Sequence, residues 1–418
     1  MKRILKYFKK IEPDKLKKPL LYSMWESFFT FFFVPKDVTS GVGTHIKDRM
    51  DLKRLMTFVV IGLIPAYIFG IYNIGHQHFL ALGQYTELFS GWNLKIAHGL
   101  IKLLPIFVVT MVVGLGWEFV FASKKGEGIE EGFLVSGALI PLIMPPDIPL
   151  WILAIAITFA VVLGKEVFGG TGMNIWNVAL LARIFVFFAY PLAISGDEVW
   201  VSGFDKLAAG VSPDYGWFHT GFFNTIFDWL GLPQFNPHWA IVDGYTGATP
   251  LAIAKDGGWD AVTQVYSTKD MLWGTIPGSI GETSKPLLLI GGLLILLTGI
   301  ADWRITFSAI LGIVLSGFLF NLWGATPLMT IPWYYHFYIG GAVLAIFFMA
   351  TDPVTASSTF RGKWIYGFMI GVIGMLIRVI NPAYPEGWML AILFMNSFAP
   401  LIDHFIISKH IKKRLKSE

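Results

Sequence analysis

The chain reads as an all-α polytopic membrane protein of about ten transmembrane helices, and three observations predict it. Of 418 residues, 55% are hydrophobic and 16% aromatic while only 14% are charged, against roughly 25% charged in a soluble domain. The mean hydropathy of +0.61 agrees. The apolar residues fall in long runs separated by short polar turns, a pattern that lipid solvates and water does not. A soluble chain of this length would instead divide into two or three domains with polar surfaces.

Taken in order, the predicted spans cover residues 55–74, 101–121, 133–144, 150–163 and 178–194. After a long polar segment come residues 287–300, 305–323, 333–350, 364–380 and 388–407. The distribution of charge tests this count. Both ends are basic, from Lys2 to Lys18 and from Lys409 to Lys416. Lys124, Lys125, Lys165, Arg304, Arg361 and Lys363 fall in turns on the same side as the ends, and the short turns opposite are almost free of Lys and Arg, with none in 145–148, 325–332 or 381–387. This places the N and C termini in the cytoplasm. Trp92, Trp151, Trp333, Tyr334, Trp364 and Trp388 sit at span ends, as in an interfacial belt.

The domain reading follows: an N-terminal cytoplasmic or interfacial segment (1–53), a first five-helix repeat (54–195), an external segment (196–285), a second five-helix repeat (286–407) and a basic tail (408–418). Five spans per half is an odd number, so a repeat must be inverted. The third span of each half breaks at Asp/Pro, at Pro145-Pro146-Asp147 and at Thr351-Asp352-Pro353. Interrupted segments in matching positions point to a site between the halves; the plainer reading is two helices that end at Pro. The basic clusters are better explained by topology and lipid headgroups than by nucleic acid. With no cysteine, the chain has no disulfide, no thiolate iron–sulfur ligation and no cysteine nucleophile. Nine histidines lack the spacing of a helical metal motif, and Arg378, near the end of the ninth span, is expected to snorkel outward.

Three stretches could carry chemistry. The first, Asp243-Gly244-Tyr245-Thr246-Gly247-Ala248-Thr249-Pro250-Leu251, lies in the external segment and leaves the Thr249 hydroxyl sterically open. It resembles the motif Asp-x-x-Ser/Thr-Gly-Ala-Ser/Thr, in whose families a flavin transferase joins FMN to the last residue by a phosphoester. Thr249 is then the acceptor, with Asp243, Thr246, Gly247 and Ala248 filling the other positions; otherwise the stretch is a simple turn. Gly324-Ala325-Thr326-Pro327-Leu328 repeats the core but has Phe320 and Trp323 where the motif needs Asp and Ser/Thr, so no flavin is expected on Thr326.

The second stretch, from Gly164 and Lys165 through Gly169-Gly170-Thr171-Gly172 to Asn177, is either a tight helix-connecting turn or a place of ligand contact. No strand precedes it and no Gly-Lys-Ser/Thr ends it, so it is neither a dinucleotide fingerprint nor a phosphate loop. Arg183 follows closely and suits a ligand or a lipid phosphate. The third stretch, Thr351 to Ser358, sets Asp352 at a broken helix end beside hydroxyls. Such a carboxylate suits Na⁺ or the polar edge of a flavin, or it caps the next segment.

Together the three stretches resemble the B-subunit family of the Na⁺-translocating NADH:quinone oxidoreductases, in order and over nearly the whole chain. The related D subunit of Rnf-type ferredoxin:NAD⁺ complexes is shorter and lacks an N-terminal extension like residues 1–53. The resemblance implies ten helices in two inverted repeats, one covalent FMN, a noncovalent riboflavin, reduction of ubiquinone or menaquinone near the cytoplasmic face, and Na⁺ export. It also implies a bacterial inner-membrane complex of six subunits, among them a second FMN subunit and an NADH-oxidising FAD/iron–sulfur subunit. Gly169 and Gly170 become candidates for the quinone pocket wall, with Trp25–Phe33, which otherwise form an interfacial helix. Asp352, and with it Asp147, becomes a candidate for the Na⁺ path. A channel or transporter without flavin, the Rnf-type subunit and a scaffold subunit remain the rival readings.

Overall fold

The computed structural model describes residues 11–14, 21, 22, 25, 29, 52–125, 132–195, 199–203, 245–381 and 386–416. Among them there is no β-strand. Asp243 and most of the N-terminal segment lie outside the described residues, although Trp25 and Phe29 are helical and stack with ring centroids 5.0 Å apart.

The first half contains α1 (Leu52–Ala81), α2 (Trp92–Lys125), α3 (Phe133–Ile143), α4 (Leu150–Gly164) and α5 (Val178–Ala189). Helices α1 and α2 are longer than their apolar runs. Their extra turns carry polar side chains with local partners: Lys95 of α2 donates to the Glu87 carbonyl at 2.6 Å. Helix α5 starts where the Asn177 side chain accepts from the Ala179 and Leu180 N–H groups (3.1 and 3.2 Å), an N-cap that Asn is suited to provide. It stops before Pro191, which starts a 3₁₀ turn over Pro191–Ala193.

The stretch 196–285, expected from the sequence to be external, has regular structure where it is described. It contains α6 (Pro250–Val265) and α7 (Thr268–Trp273). Its last stretch, around Ile276–Ser284, is buried: the Gly281 N–H donates to the Leu142 carbonyl at 2.7 Å, inside the first half.

The second half contains α8 (Lys285–Leu297), α9 (Trp303–Trp323), α10 (Ala342–Leu344), α11 (Phe360–Ile380) and α12 (Trp388–Leu415). The expected span over 333–350 is not one helix. Trp333–Phe337 is a 3₁₀ turn, Gly340 takes a positive φ of 68°, and α10 passes directly into a π turn over Ala345–Met349. Among the described residues, six helices (α1, α2, α4 continued through its 3₁₀ turn to Phe168, α9, α11 and α12) are long and apolar enough to cross a membrane. Three more, α3, α5 and α8, are apolar but shorter.

Arg378 does not snorkel. It is fully buried, donates to the His336 and Ile339 carbonyls at 2.9 and 3.1 Å, and its guanidinium lies 4.9 Å from the Trp388 ring. The protein interior offers it carbonyls and a π-face in place of water.

Candidate functional site

Thr249 sits at the N-cap of α6, with Pro250 at the first helical position, where a missing N–H costs nothing. Its Oγ1 accepts the Ala252 N–H at 3.2 Å, and the residue is half-buried. Thr246 is exposed, and its Oγ1 accepts the Ala248 N–H at 3.2 Å, closing a hydroxyl turn over the motif. Gly247 and Ala248 are buried, so small residues are needed there. Tyr266 donates to the Ala248 carbonyl at 2.8 Å. Tyr245 donates to Gln77 Oε1 at 3.1 Å, and Asn73, one turn earlier on α1, donates to the Ile276 carbonyl at 3.0 Å. The motif is thereby tied to the C-terminal end of α1. Burial pushes the Tyr245 and Tyr266 phenols up from their ordinary range, so both remain hydrogen-bond donors.

The residues present fit a phosphoester at Thr249. The Thr249 Oγ1 lies against the N-terminus of α6, where the helix dipole favours a phosphate. Thr326 is different. It precedes a 3₁₀ turn over Pro327–Thr330, makes no side-chain cap, and donates to the Val379 carbonyl at 3.4 Å.

A second place lies at the opposite end of α1. Leu55, Met56 and Val59 of α1, Ser136 and Leu139 of α3, Lys165, Thr171, Asn174 and Asn177 from the Gly-rich turn, and Phe348 with Thr351–Val354 enclose one cavity. The two remaining sequence stretches therefore meet, and Asn177 Nδ2 donates to Asp352 Oδ2 at 3.3 Å. Asp352 also accepts from the Val354 N–H and the Thr355 hydroxyl, both at 3.1 Å. Gly169 and Gly170 sit outside this lining, in the adjoining turn, with φ of 127° and 108°. Lys125 closes that turn by donating to the Gly169 carbonyl (2.9 Å) and Glu166 (3.2 Å). Lys165, at the cavity, forms a buried ion pair with Glu118.

The enclosed space is about 70 Å³, whereas a pocket for a drug-sized ligand is roughly 300–1,000 Å³. As they stand, these residues do not fit the tricyclic ring of riboflavin.

Arg183 is buried away from that cavity. It donates to the Ile143 carbonyl, lies 3.4 Å from Glu386 and stacks 5.7 Å from the Trp200 ring. Asp147 pairs with Lys102 at 2.6 Å and accepts the Gly203 N–H. No group of three His, Cys, Asp or Glu among the described residues could hold a metal ion. Sequence reasoning placed Lys165, Asn174 and Asn177 in the candidate Gly-rich stretch without giving any of them a role of its own, and it missed Glu118. Asn directly before an apolar run was a legible N-cap signal at Asn177; the pairing of Glu118 with Lys165 spans 47 positions and has no local signature.

The fold and the two places define a helical, multi-pass membrane protein with a small, mostly apolar cavity where its two halves meet and a motif-bearing segment anchored at the far end of α1. The family model described as the NQR2, RnfD, RnfE family matches residues 39–412, and the chain belongs to that family. It is 42% identical over 416 residues to a protein of Chromohalobacter salexigens named as the B subunit of the Na(+)-translocating NADH-quinone reductase, covering 95% of this chain and 92% of that one. Proteins of the same name from Ectopseudomonas mendocina (43%) and Pseudomonas aeruginosa (42%) are covered to 93% of their length by 94% of this chain.

Proposed function

We propose that this chain is the flavin-carrying membrane subunit of a respiratory Na⁺-translocating NADH:quinone oxidoreductase, with FMN esterified to Thr249, quinone reduced near the cytoplasmic face and Na⁺ exported. The names of the relatives support the complex and its chemistry. The six long apolar helices support a multi-pass place in a membrane, which in this reading is the bacterial inner membrane. The short, broken third elements, α3 and α10 with its π turn, both contribute to the cavity wall and support two inverted five-helix repeats with cytoplasmic termini.

One observation carries the flavin reading: the Thr249 hydroxyl caps a helix N-terminus inside the only motif copy with Thr246 in the required place. Bound there, FMN would supply one- and two-electron redox chemistry that no side chain offers. The chain's own residues hold the phosphate end at the α6 N-terminus. They also fix that end to α1 through Tyr245 and Gln77. Val59 and Gln77 lie 18 residues apart on α1, or about 27 Å, a separation that supports motif and cavity on opposite sides of a bilayer core. Electrons would enter from a partner FMN subunit outside, supplied by an NADH-oxidising FAD/iron–sulfur subunit of a six-subunit complex, and a flavin transferase would load the chain. Riboflavin belongs to the same reading, but the cavity of about 70 Å³ is too small to hold it. The exposed Val167, Phe168 and Met173 flank Gly169 and Gly170 with apolar surface suited to a quinone ring.

A denaturing gel viewed under ultraviolet light, with intact mass, tests the reading. Wild type expressed with the transferase should fluoresce and gain the mass of FMN, and Thr249→Val should lose both. A dark wild-type band of unmodified mass would leave a channel or transporter as the better account.

A further inference from the structure

Helix α6 is not straight. Gly258 has φ 68° and ψ −164°, so two helical pieces meet at a reversal. Were the 16 residues one continuous helix, its ends would stand about 24 Å apart. Instead Tyr266, immediately after the last turn, reaches back 18 positions and donates its hydroxyl to the Ala248 carbonyl at 2.8 Å. Ala248 immediately precedes Thr249. The reversal is held from outside: the Trp259 N–H donates to Thr330 Oγ1 at 3.0 Å, and Thr330 donates to the Pro327 carbonyl at 2.6 Å. A Cβ on Gly258 would lie 3.0 Å from Thr330 Oγ1, in a backbone region that disfavours side chains. Apolar packing completes the hairpin, because Leu251, Ala254 and Val262 share one buried cluster with Leu328.

We propose that Tyr266 is a positioning residue for the modification of Thr249: by holding the Ala248 carbonyl it fixes the peptide plane that presents Thr249 Oγ1 to the transferase. This rests on the reading of Thr249 as the FMN acceptor. The step is a phosphoryl-type transfer without change of redox state. The donor is a flavin dinucleotide, an anhydride of FMN and a nucleoside monophosphate. A bond forms between Thr249 Oγ1 and the FMN phosphorus, the anhydride P–O bond breaks, the nucleoside monophosphate leaves, and the Oγ1 proton passes to a base of the transferase. Tyr266 touches neither reacting atom. Its contribution is orientation, and a small misplacement of an attacking oxygen slows such a step by one to two orders of magnitude.

The test uses the full chain made without transferase and purified in detergent, then incubated with transferase and flavin dinucleotide. The initial rate of covalent fluorescence is followed against chain concentration, with intact mass at the end. Tyr266→Phe keeps the ring and removes the donor. It should lower kcat for attachment about ten-fold with KM within about two-fold, while melting midpoint and elution volume stay as in wild type. Deuterium uptake at the Ala252 amide, which Thr249 caps, should rise. Gly258→Ala opens the same clasp by another route and should lower kcat in the same way. Tyr334→Phe, at an exposed tyrosine, should match wild type. A Tyr266→Phe chain labelled at the wild-type rate would overturn the proposal, as would a fall in rate that only tracks a fall in melting midpoint. A wild-type chain left unlabelled by a transferase that modifies another substrate would instead remove the acceptor reading itself, and the positioning role with it.

Discussion

In Gly247–Leu251 the threonine hydroxyl accepts a backbone N–H, which leaves its proton free for a base; in Gly324–Leu328 the same residue spends its proton on the Val379 carbonyl. Identical pentapeptides thus present different chemistry, and only the surrounding chain separates them. Asp352 shows a comparable dependence on context. Three donors from Asn177, Val354 and Thr355 already surround its carboxylate, so it is satisfied without a cation, yet it borders the cavity between the halves. If it lies on the Na⁺ path, as expected from the sequence, Asp352→Ala in the assembled complex should lower the Na⁺ moved per NADH oxidised in vesicles, and unchanged stoichiometry would end that role. At this scale the sequence was informative about contacts between near neighbours: Asp352 was weighed as a cap of the segment that follows it, and it accepts from Val354 and Thr355. It was silent where partners are remote. Nothing beside Arg378 announces that Trp388 and two carbonyls will enclose it, so a cation near a helix end was expected to turn toward water.

At the scale of helices, glycine decides how close the elements come. Gly62 of α1 and Gly291 of α8 face each other, with a Cβ at Gly62 only 3.1 Å from the Gly291 carbonyl. Gly75 of α1 abuts the Lys95 backbone of α2, and Gly99 of α2 abuts that of Ile71. On α9 and α11, Gly312 and Gly371 are reciprocal neighbours, a Cβ on Gly371 lying 2.9 Å from the Gly312 Cα. Within lipid there is little hydrophobic gain from pairing helices, so van der Waals contact at such small residues supplies the attraction. Gly371→Leu should separate α9 from α11 and destabilise the chain by about 1–3 kcal/mol or more, read as a lower melting midpoint in detergent. Gly116→Leu, where a Cβ meets nothing within 4 Å, should leave it within error; equal losses would mean that helix propensity, not packing, governs both. Long spans such as α9 were legible because hydropathy alone sets them. The 333–350 run was not, since its apolar composition is the same whether the backbone is α, 3₁₀ or π, and Gly340 with a positive φ breaks it.

Across the whole molecule, polar ties join the two halves at several levels. Trp176 Nε1 donates to Ser397 Oγ at 2.8 Å and Asn177 to Asp352 at 3.3 Å, beside the cavity. About two turns further along α5, Arg183 of the first half meets Glu386 of the second at 3.4 Å, with side chains only 2% and 16% exposed. Glu386 and Glu282 both lie beside Gly341, and Lys285 donates to the Glu282 and Gly340 carbonyls at 2.5 and 3.0 Å. Buried charge of this kind adds little net stability, but removing one partner strands the other at a cost of about 3–5 kcal/mol. Its use is to specify one arrangement of the halves, since any sliding of α5 past Glu386 would break the pair while apolar contacts re-formed. A double-mutant cycle separates the two contributions. Arg183→Met and Glu386→Gln should each destabilise the chain strongly, and the double variant should lose less than their sum by about 1–3 kcal/mol. Denaturant unfolding of the full chain in mixed micelles measures all three. Strict additivity would show that Arg183 is held by contacts other than Glu386, the Ile143 carbonyl and Trp200 among them, and that the halves are registered by their apolar packing rather than by this pair.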